Sequence, residues 1–336
     1  MKFKKNILVT GGCGFIGSSF LRHTVPKYKE FNFVNLDLLT YAGNKLNVKE
    51  IENFSNYQFI HGDIRDINML TELFEKIDYV IHFAAESHVD RSIENSNDFI
   101  TTNILGTHLL LDLSKKNNIE KFIAISTDEV YGSLKESEEP STEESPLLPR
   151  SPYSASKASS DLLCLSYYET FGLNICITRC SNNYGPYQYP EKLIPVLINK
   201  ALKNENLPIY GDGRNIRDWI HVDDHVKAIE SVWKKGSPGE IYNIGGNTPK
   251  RNLEIADTVL SSLNLPKEKI EFVKDRPGHD WRYEVNDMKI KDELDWKPEI
   301  DFSKGIKKTI DWYLANEEWW KPLVNEAGGR RGLADG

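Results

Sequence analysis

The sequence predicts an α/β fold, with a doubly wound parallel sheet first and a smaller α/β part after it. Three observations predict it. Short apolar runs at residues 6–10, 32–37, 57–62, 79–83, 122–126 and 174–178 alternate with longer amphipathic segments; strands separated by helices make a parallel sheet. Runs such as Tyr79-Val80-Ile81 carry no polar alternation, as expected of strands covered on both faces. After about residue 180 the alternation stops, and Pro186, Pro190, Pro195, Pro208, Pro238, Pro249, Pro266 and Pro277 punctuate shorter elements. The expected division is therefore residues 1–180, then 181–325, then a tail, 326–336, with no apolar pattern. Helical spacing in the second part marks 191–204, 223–235, 252–263 and 303–315.

Composition excludes several functions. The 336 residues carry a net charge of −8 without a basic block, so nucleic acid is not an expected partner. Hydrophobic residues make up 39% of the chain, enough for a sizeable core. Mean hydropathy is −0.49, and no apolar run approaches the ~20 residues of a membrane-spanning helix. Lys2, Lys4 and Lys5 precede Ile7-Leu8-Val9, but that run is too short for a signal peptide and reads as the first strand. Cys13, Cys164, Cys176 and Cys180 form no Cys-x-x-Cys pair and no zinc spacing with histidine. No metal is expected, and reduced thiols fit a cytoplasmic protein.

The first strand runs straight into Gly11-Gly12-Cys13-Gly14-Phe15-Ile16-Gly17. Gly11, Gly14 and Gly17 form G-x-x-G-x-x-G between a strand and a helix. Glycines allow the tight turn and a close backbone approach to a pyrophosphate, and the helix N-terminus offers free N–H groups to it. The second strand ends at Asp37, where a carboxylate can accept both ribose hydroxyls of an adenosine. It would repel a 2′-phosphate, so the expected cofactor is NAD rather than NADP, and the sheet is Rossmann-type. Asp63-Ile64, closing the third strand, should lie beside the adenine.

Two further segments carry chemistry. Ser126-Thr127-Asp128-Glu129-Val130-Tyr131-Gly132 follows the strand at 122–126, at the carboxyl end where ligands of a parallel sheet bind. Asp128 and Glu129 there form a candidate acid/base pair, one protonated and one ionised. Tyr153-Ser154-Ala155-Ser156-Lys157 is Y-x-x-x-K. On a helix the tyrosine and lysine share one face; a nearby ammonium and a cationic nicotinamide would both favour the phenolate of a general base. Between these segments, residues 134–150 are acidic and proline-containing and read as a solvated surface loop.

These motifs resemble the extended short-chain dehydrogenase/reductase superfamily, and within it the nucleotide-sugar 4,6-dehydratases. The resemblance runs over residues 7–320. Besides the segments above, it rests on Leu39-Thr40-Tyr41, F-A-A-E-S-H-V-D at 83–90, R-C-S-N-N-Y-G-P-Y-Q-Y-P-E-K at 179–192, R-N-I-R-D-W-I-H at 214–221 and D-R-P-G-H-D-W-R-Y at 275–283. It implies a redox-neutral dehydration of dTDP-glucose to its 4-keto-6-deoxy form. Tyr153 would take the C4 hydroxyl proton as hydride passes to NAD, Glu129 the C5 proton, and Asp128 would protonate the departing C6 hydroxyl before hydride returns to C6. Thr127 would bond the C4 oxygen, and Lys157 would hold the nicotinamide ribose and tune Tyr153. The resemblance also places Phe15, Ile16, Thr40, Ala84, Ala85, Ser87, Ser126 and Cys180 at the cofactor.

For the nucleotide-diphosphate sugar it implies Ser87, Asn182, Asn183, Glu191, Lys192, Leu193, Pro208, Tyr210, Arg217, Asn252, Arg276, His279 and Tyr283, with His88 and Arg91 nearby. A diphosphate needs cations, which Lys192, Arg217 and Arg276 would supply. The resemblance further implies a homodimer built on helices at about 93–117 and 152–171. Trp312, Tyr313, Trp319 and Trp320 read as C-terminal packing. Asp128 favours dehydration over sister epimerases, which carry small residues there, and decarboxylases, which carry serine. The other readings are the same reaction on a UDP- or CDP-sugar, a sister nucleotide-sugar epimerase or decarboxylase, and an NAD-binding regulator without turnover.

Overall fold

The computed structural model describes residues 3–326; most of the tail, residues 327–336, lies outside the described residues. Seven strands form the main sheet: β1 Lys5–Thr10, β2 Phe31–Asp37, β3 Tyr57–His61, β4 Tyr79–His82, β5 Lys121–Thr127, β6 Ile175–Cys180 and β10 Ile241–Ile244. Their order is β10-β6-β5-β4-β1-β2-β3, and every pairing is parallel. The first six strands lie within two residues of the expected bounds; β1, β4, β5 and β6 are buried along most of their length, whereas the edge strand β3 is not.

Both faces of this sheet are covered. Ile7 and Val9 pack on one side with α1 (Phe15–Thr24), α8 (Val222–Lys235) and α10 (Met288–Leu294). Leu8, between them, packs on the other with α2 (Ile67–Phe74), α5 (Thr107–Lys116) and α6 (Pro152–Phe171). Alternate side chains of one strand thus feed two separate cores. The chain returns to this sheet after residue 180: β10 pairs with β6, and α8 and α10 cover it. No break in the sequence pattern marks that return.

The remaining elements build a second layer. β9 (Ile216–His221) pairs with β7 (Asn182–Tyr184), β11 (Pro249–Arg251) and β13 (Arg282–Tyr283), and β8 (Leu207–Tyr210) pairs with β12 (Ile270–Val273). Against them lie α7 (Leu193–Leu202), α9 (Asn252–Ser262), α11 (Phe302–Ala315) and α12 (Glu317–Glu326). Tyr313, Trp319 and Trp320 are buried in this core with Trp312 against it, and the Trp319 indole N–H donates to Asn47 Oδ1 at 2.9 Å.

Two expectations are corrected. Residues 93–117 are not one helix: α3 (Val89–Glu94) ends where Asn95 turns extended, then α4 (Asn97–Phe99) and a π-helical stretch, Ile100–Gly106, lead into α5. The 134–150 loop is not merely solvated: Glu143 Oε1 accepts the Asn243 N–H at 2.8 Å, and Arg282 Nη1 binds the Glu138 carbonyl at 2.9 Å. Among the described residues, no helix is long and apolar enough to cross a membrane.

Candidate active site

The carboxyl ends of β1, β2, β4, β5 and β6 open on one cleft of about 500 Å³. Gly11 turns the chain out of β1 at φ +70, and a Cβ there would sit 2.6 Å from the Ala84 backbone nitrogen. At Gly17 a Cβ would sit 2.4 Å from the Gly11 carbonyl oxygen. Only glycine lets strand, turn and helix approach this closely. Helix α1 starts with no side-chain cap, so the first-turn N–H groups of Phe15, Ile16 and Gly17 remain as donors on the cleft wall. Asp37 Oδ2 accepts the Cys13 N–H and Oδ1 the Leu39 N–H, both at 2.8 Å. Burial pushes this carboxyl up, against those two bonds. A bare helix N-terminus beside a buried carboxylate fits a dinucleotide diphosphate and its ribose. Gly14, Thr40, Asp63, Ile64, Ala84, Ala85, Ser87, Ser126 and Cys180 line the same cleft. Asp63 carries a partner that the motif did not reveal: Arg65 Nη2 grips its Oδ2 at 2.7 Å. Although burial opposes it, that grip holds the carboxyl below its usual range.

Thr127, Asp128, Glu129, Tyr153 and Lys157 line the far end of the cleft. A single tight turn, Asp128–Tyr131, caps β5. Thr127 Oγ1 donates to Asp128 Oδ1 and accepts the Glu129 N–H, each at 3.3 Å. The two carboxyls differ in surroundings. Asp128 is 3% exposed, its Oδ2 has no hydrogen-bond partner, and burial, then the charge of Glu129, push it well above the usual carboxyl range. Burial also raises Glu129, but Arg276, Arg217 and Lys192 all pull it back. One carboxyl therefore keeps its proton more readily than the other.

Ser151 and Ser154 cap α6 reciprocally and Pro152 opens it. This sets Tyr153 in its first turn and Lys157 one turn on. Both are buried. Lys157 Nζ donates to the Ile125 carbonyl at 2.7 Å. The expected lowering of the phenol by this ammonium is not what surrounds Tyr153. Burial, then the charge of Glu129, push the phenol well above its usual value, and the bond with Thr127 opposes them.

The other expected substrate residues divide into two groups. Asn182, Asn183, Glu191 and Lys192 line the cleft. Lys192 Nζ donates to the Ser87 carbonyl at 2.7 Å, Glu191 pairs with Arg91 Nε at 3.2 Å, and Asn183 Oδ1 meets His225 Nδ1 at 2.9 Å. Leu193, Pro208, Tyr210, Arg217, Asn252, Arg276, His279 and Tyr283 lie off its wall. Leu193 packs into the second core, and Pro208 lies within β8. Asn252 opens α9 with a buried Oδ1 that has no partner. Arg217 lies 4.4 Å over the Tyr283 ring and donates to the Asp280 carbonyl at 3.0 Å; Asp280 also takes the Tyr283 hydroxyl. Arg276 and Tyr210 share Asp90, each at 3.2 Å, and His279 meets Asp275 at 2.6 Å. Thr102, Gln188 and Tyr189 also line the cleft and were given no role from the sequence, although Gln188 and Tyr189 lie within the 179–192 segment. Arg65 could have been found, two residues after an aspartate in D-I-R. Among the described residues, no group of three or more His, Cys, Asp or Glu is placed to hold a metal ion.

The GDP-mannose 4,6 dehydratase family model matches residues 8–309. A dTDP-glucose 4,6-dehydratase of Streptomyces niveus is 46% identical over 98% of this chain and 99% of its own. Among solved structures, the dTDP-glucose 4,6-dehydratase of Streptomyces venezuelae, with NAD and TYD bound, superposes with a TM-score of 0.92 at 45% identity, covering 95% of this chain and 99% of its own. That of Bacillus anthracis, in complex with NAD, gives 0.89 at 49% identity, over 95% and 99%. The chain belongs to the GDP-mannose 4,6-dehydratase family and stands among its dTDP-glucose 4,6-dehydratases.

Proposed function

We propose that the protein removes one water from dTDP-glucose, giving dTDP-4-keto-6-deoxy-glucose, with NAD as its resident cofactor. The observation that carries the reading is the pair Asp128 and Glu129. They are adjacent in sequence, share one cleft with Tyr153 and Lys157, and differ in surroundings: burial raises both, but three cations oppose it at Glu129, whereas the Glu129 charge adds to it at Asp128. NAD supplies a hydride acceptor that returns what it takes, so no outside oxidant is needed. Gly11, Gly14, Gly17 and the first turn of α1 hold its diphosphate, and Asp37 its adenosine ribose.

The protein's own groups move the protons. Tyr153 takes the C4 hydroxyl proton, for which the cationic nicotinamide of bound NAD, with Lys157, would offset the burial that raises its phenol, and Thr127 steadies the C4 oxygen. A ketone at C4 acidifies the C5–H bond, and Glu129, drawn toward its ionised form by three cations, accepts that proton. Asp128 gives its proton to the C6 hydroxyl, which leaves as water. As C6 is reduced, the proton held by Glu129 returns to C5, and the proton left on Tyr153 restores Asp128 through solvent; C4 ends oxidised, C6 ends reduced, and the net change is the loss of water. Lys192, Arg217 and Arg276 offset the diphosphate charge within an acidic chain.

We read residues 1–180 as the cofactor half and 181–325 as the nucleotide-sugar half, which lends β10, α8 and α10 to the first. A homodimer is part of the proposal. Ile93, Ile100 and Leu105, before α5, are 45%, 52% and 45% exposed, and Leu162 and Phe171 on α6 are 57% and 49% exposed. A cytoplasmic location accords with four free, buried cysteines.

The test is incubation with dTDP-glucose and with UDP-glucose, followed by mass spectrometry. Loss of one water from the dTDP-sugar without added NAD is the expected result. Equal turnover of the UDP-sugar would remove the base preference, and no change in either would overturn the reading.

A further inference from the structure

Arg179 and Asp161 form an ion pair to which no step above assigns a role. Arg179 is 2% exposed and Asp161 1%, and Arg179 Nε donates to Asp161 Oδ2 at 2.9 Å. Such pairs contribute little net stability once desolvation is counted, so their geometry is the more informative feature. Asp161 lies one helical turn beyond Lys157 on α6, and Arg179 stands on β6. From there Arg179 Nη1 donates to the Tyr131 hydroxyl at 2.9 Å, and its guanidinium lies 4.8 Å from the centre of the same ring. The Tyr131 hydroxyl donates in turn to Asn243 Oδ1 on β10 at 2.8 Å. Asn243 Nδ2 then holds the Ser141 carbonyl at 3.1 Å. One unbroken chain of bonds thus joins the helix of Tyr153 and Lys157, strands β6 and β10, and the end of the turn that carries Asp128 and Glu129.

That turn is short and has two anchors. Its entry is fixed by the sheet, where Ser126 and Thr127 pair with Arg179 and Cys180. At its exit Tyr131 is followed by Gly132 at φ +79, where a Cβ would lie 2.3 Å from the Leu148 carbonyl oxygen, so the chain has one path out. Asp128 and Glu129 are suspended between these points. Tyr153, by contrast, sits on a capped helix of 20 residues.

We propose that Tyr131 is a positioning residue for the elimination step: its hydroxyl, clamped between Arg179 and Asn243, sets Asp128 and Glu129 relative to the helix that carries Tyr153 and Lys157. This rests on the dehydratase reading above. It separates the two halves of the reaction, because oxidation at C4 depends on the helix and elimination depends on the turn. Small displacements of reacting groups carry large rate penalties.

The test is Tyr131→Phe, which removes one oxygen and leaves the ring in place. In single turnovers of the holoenzyme with dTDP-glucose, the absorbance of reduced nicotinamide rises and then decays. The rise keeps its wild-type rate in the variant, while the decay and kcat slow at least ~10-fold, with KM little changed. Asn243→Ala gives the same pattern, and the double variant is no slower than the worse single one, as members of one chain of bonds require. Rise and decay slowed alike, or a lower melting temperature with unchanged kcat, would overturn the positioning role alone. A wild-type protein that forms no keto-deoxy product would overturn the functional reading, and the positioning role with it.

Discussion

Replacing Asp128 with asparagine tests the division of labour between the two carboxyls. Asparagine keeps the shape of the side chain and an oxygen to accept the Thr127 hydroxyl, now at 3.3 Å. What it loses is a transferable proton. The carboxyl is buried, its Oδ2 has no hydrogen-bond partner, and burial together with the Glu129 charge makes it hold a proton well above the usual range. Withdrawal of a positioned general acid costs about 10²–10⁴ in rate, or roughly 3–5 kcal/mol of barrier. The assay is rapid mixing of holoenzyme with dTDP-glucose, following bound reduced cofactor and quenched product together. Oxidation at C4 keeps its rate because Tyr153 and Lys157 are untouched, reduced cofactor accumulates, and product appears slowly. A kcat within about threefold of wild type would refute the acid assignment. The same substitution changes the pH dependence of stability. Folded Asp128 keeps its proton to higher pH than the unfolded chain does. Its contribution is therefore full at low pH and falls as pH rises through the raised value. Asp128→Asn removes that slope, so its stability relative to wild type increases with pH in denaturation curves.

Tyr153→Phe removes the base for the first proton, and both oxidation and product formation fall by about 10²–10⁴, measured in the same rapid-mixing assay. Gly17→Ala drives a Cβ to 2.4 Å from the Gly11 carbonyl oxygen; the purified variant carries little or no NAD, measured by absorbance after denaturation, and turns over only with added cofactor. Glu230 takes bonds from His23 at 2.7 Å, Lys27 at 2.5 Å and the Tyr28 hydroxyl, which outweigh its burial and draw its pKa from 4.5 down to about 2. That stabilisation is present above the ordinary carboxylate pKa and is lost as pH falls toward 2. With partial solvent screening it amounts to roughly 1–2 kcal/mol, so Glu230→Gln is less stable than wild type at neutral pH by that amount in urea denaturation, and the difference closes in acid.

The parts of the molecule that the sequence made legible are those governed by local pattern. Leu8 and Val9 face opposite cores, so β1 had to be apolar throughout, and that marks a covered strand. The G-x-x-G-x-x-G turn was readable because glycine at Gly11 and Gly17 answers a backbone contact made within the same strand–turn–helix unit or with the adjacent strand. Y-x-x-x-K was readable because one helical turn brings both side chains to one face. What escaped depends on distant partners. The break at Asn95 and the π-helical stretch after it follow from tertiary packing, as do Asp161 with Arg179, paired across 18 residues. Glu143 looked solvated until Asn243, from β10, presented its N–H. In the second half the substrate residues came from family resemblance alone, because the proline-punctuated chain offers no period from which to read faces. The surroundings of Tyr153 were not legible either: one turn of helix suggested an ammonium beside the phenol, whereas Lys157 donates to the Ile125 carbonyl, and burial, then the charge of Glu129, act on the phenol.

The central claim is that the hydrogen removed from C4 comes back to the same sugar at C6. Turnover of dTDP-glucose carrying deuterium at C4, with no cofactor added, tests it directly. The account predicts a 4-keto-6-deoxy product one water lighter, with the deuterium at C6. Deuterium left at C4, or lost to solvent, would contradict it.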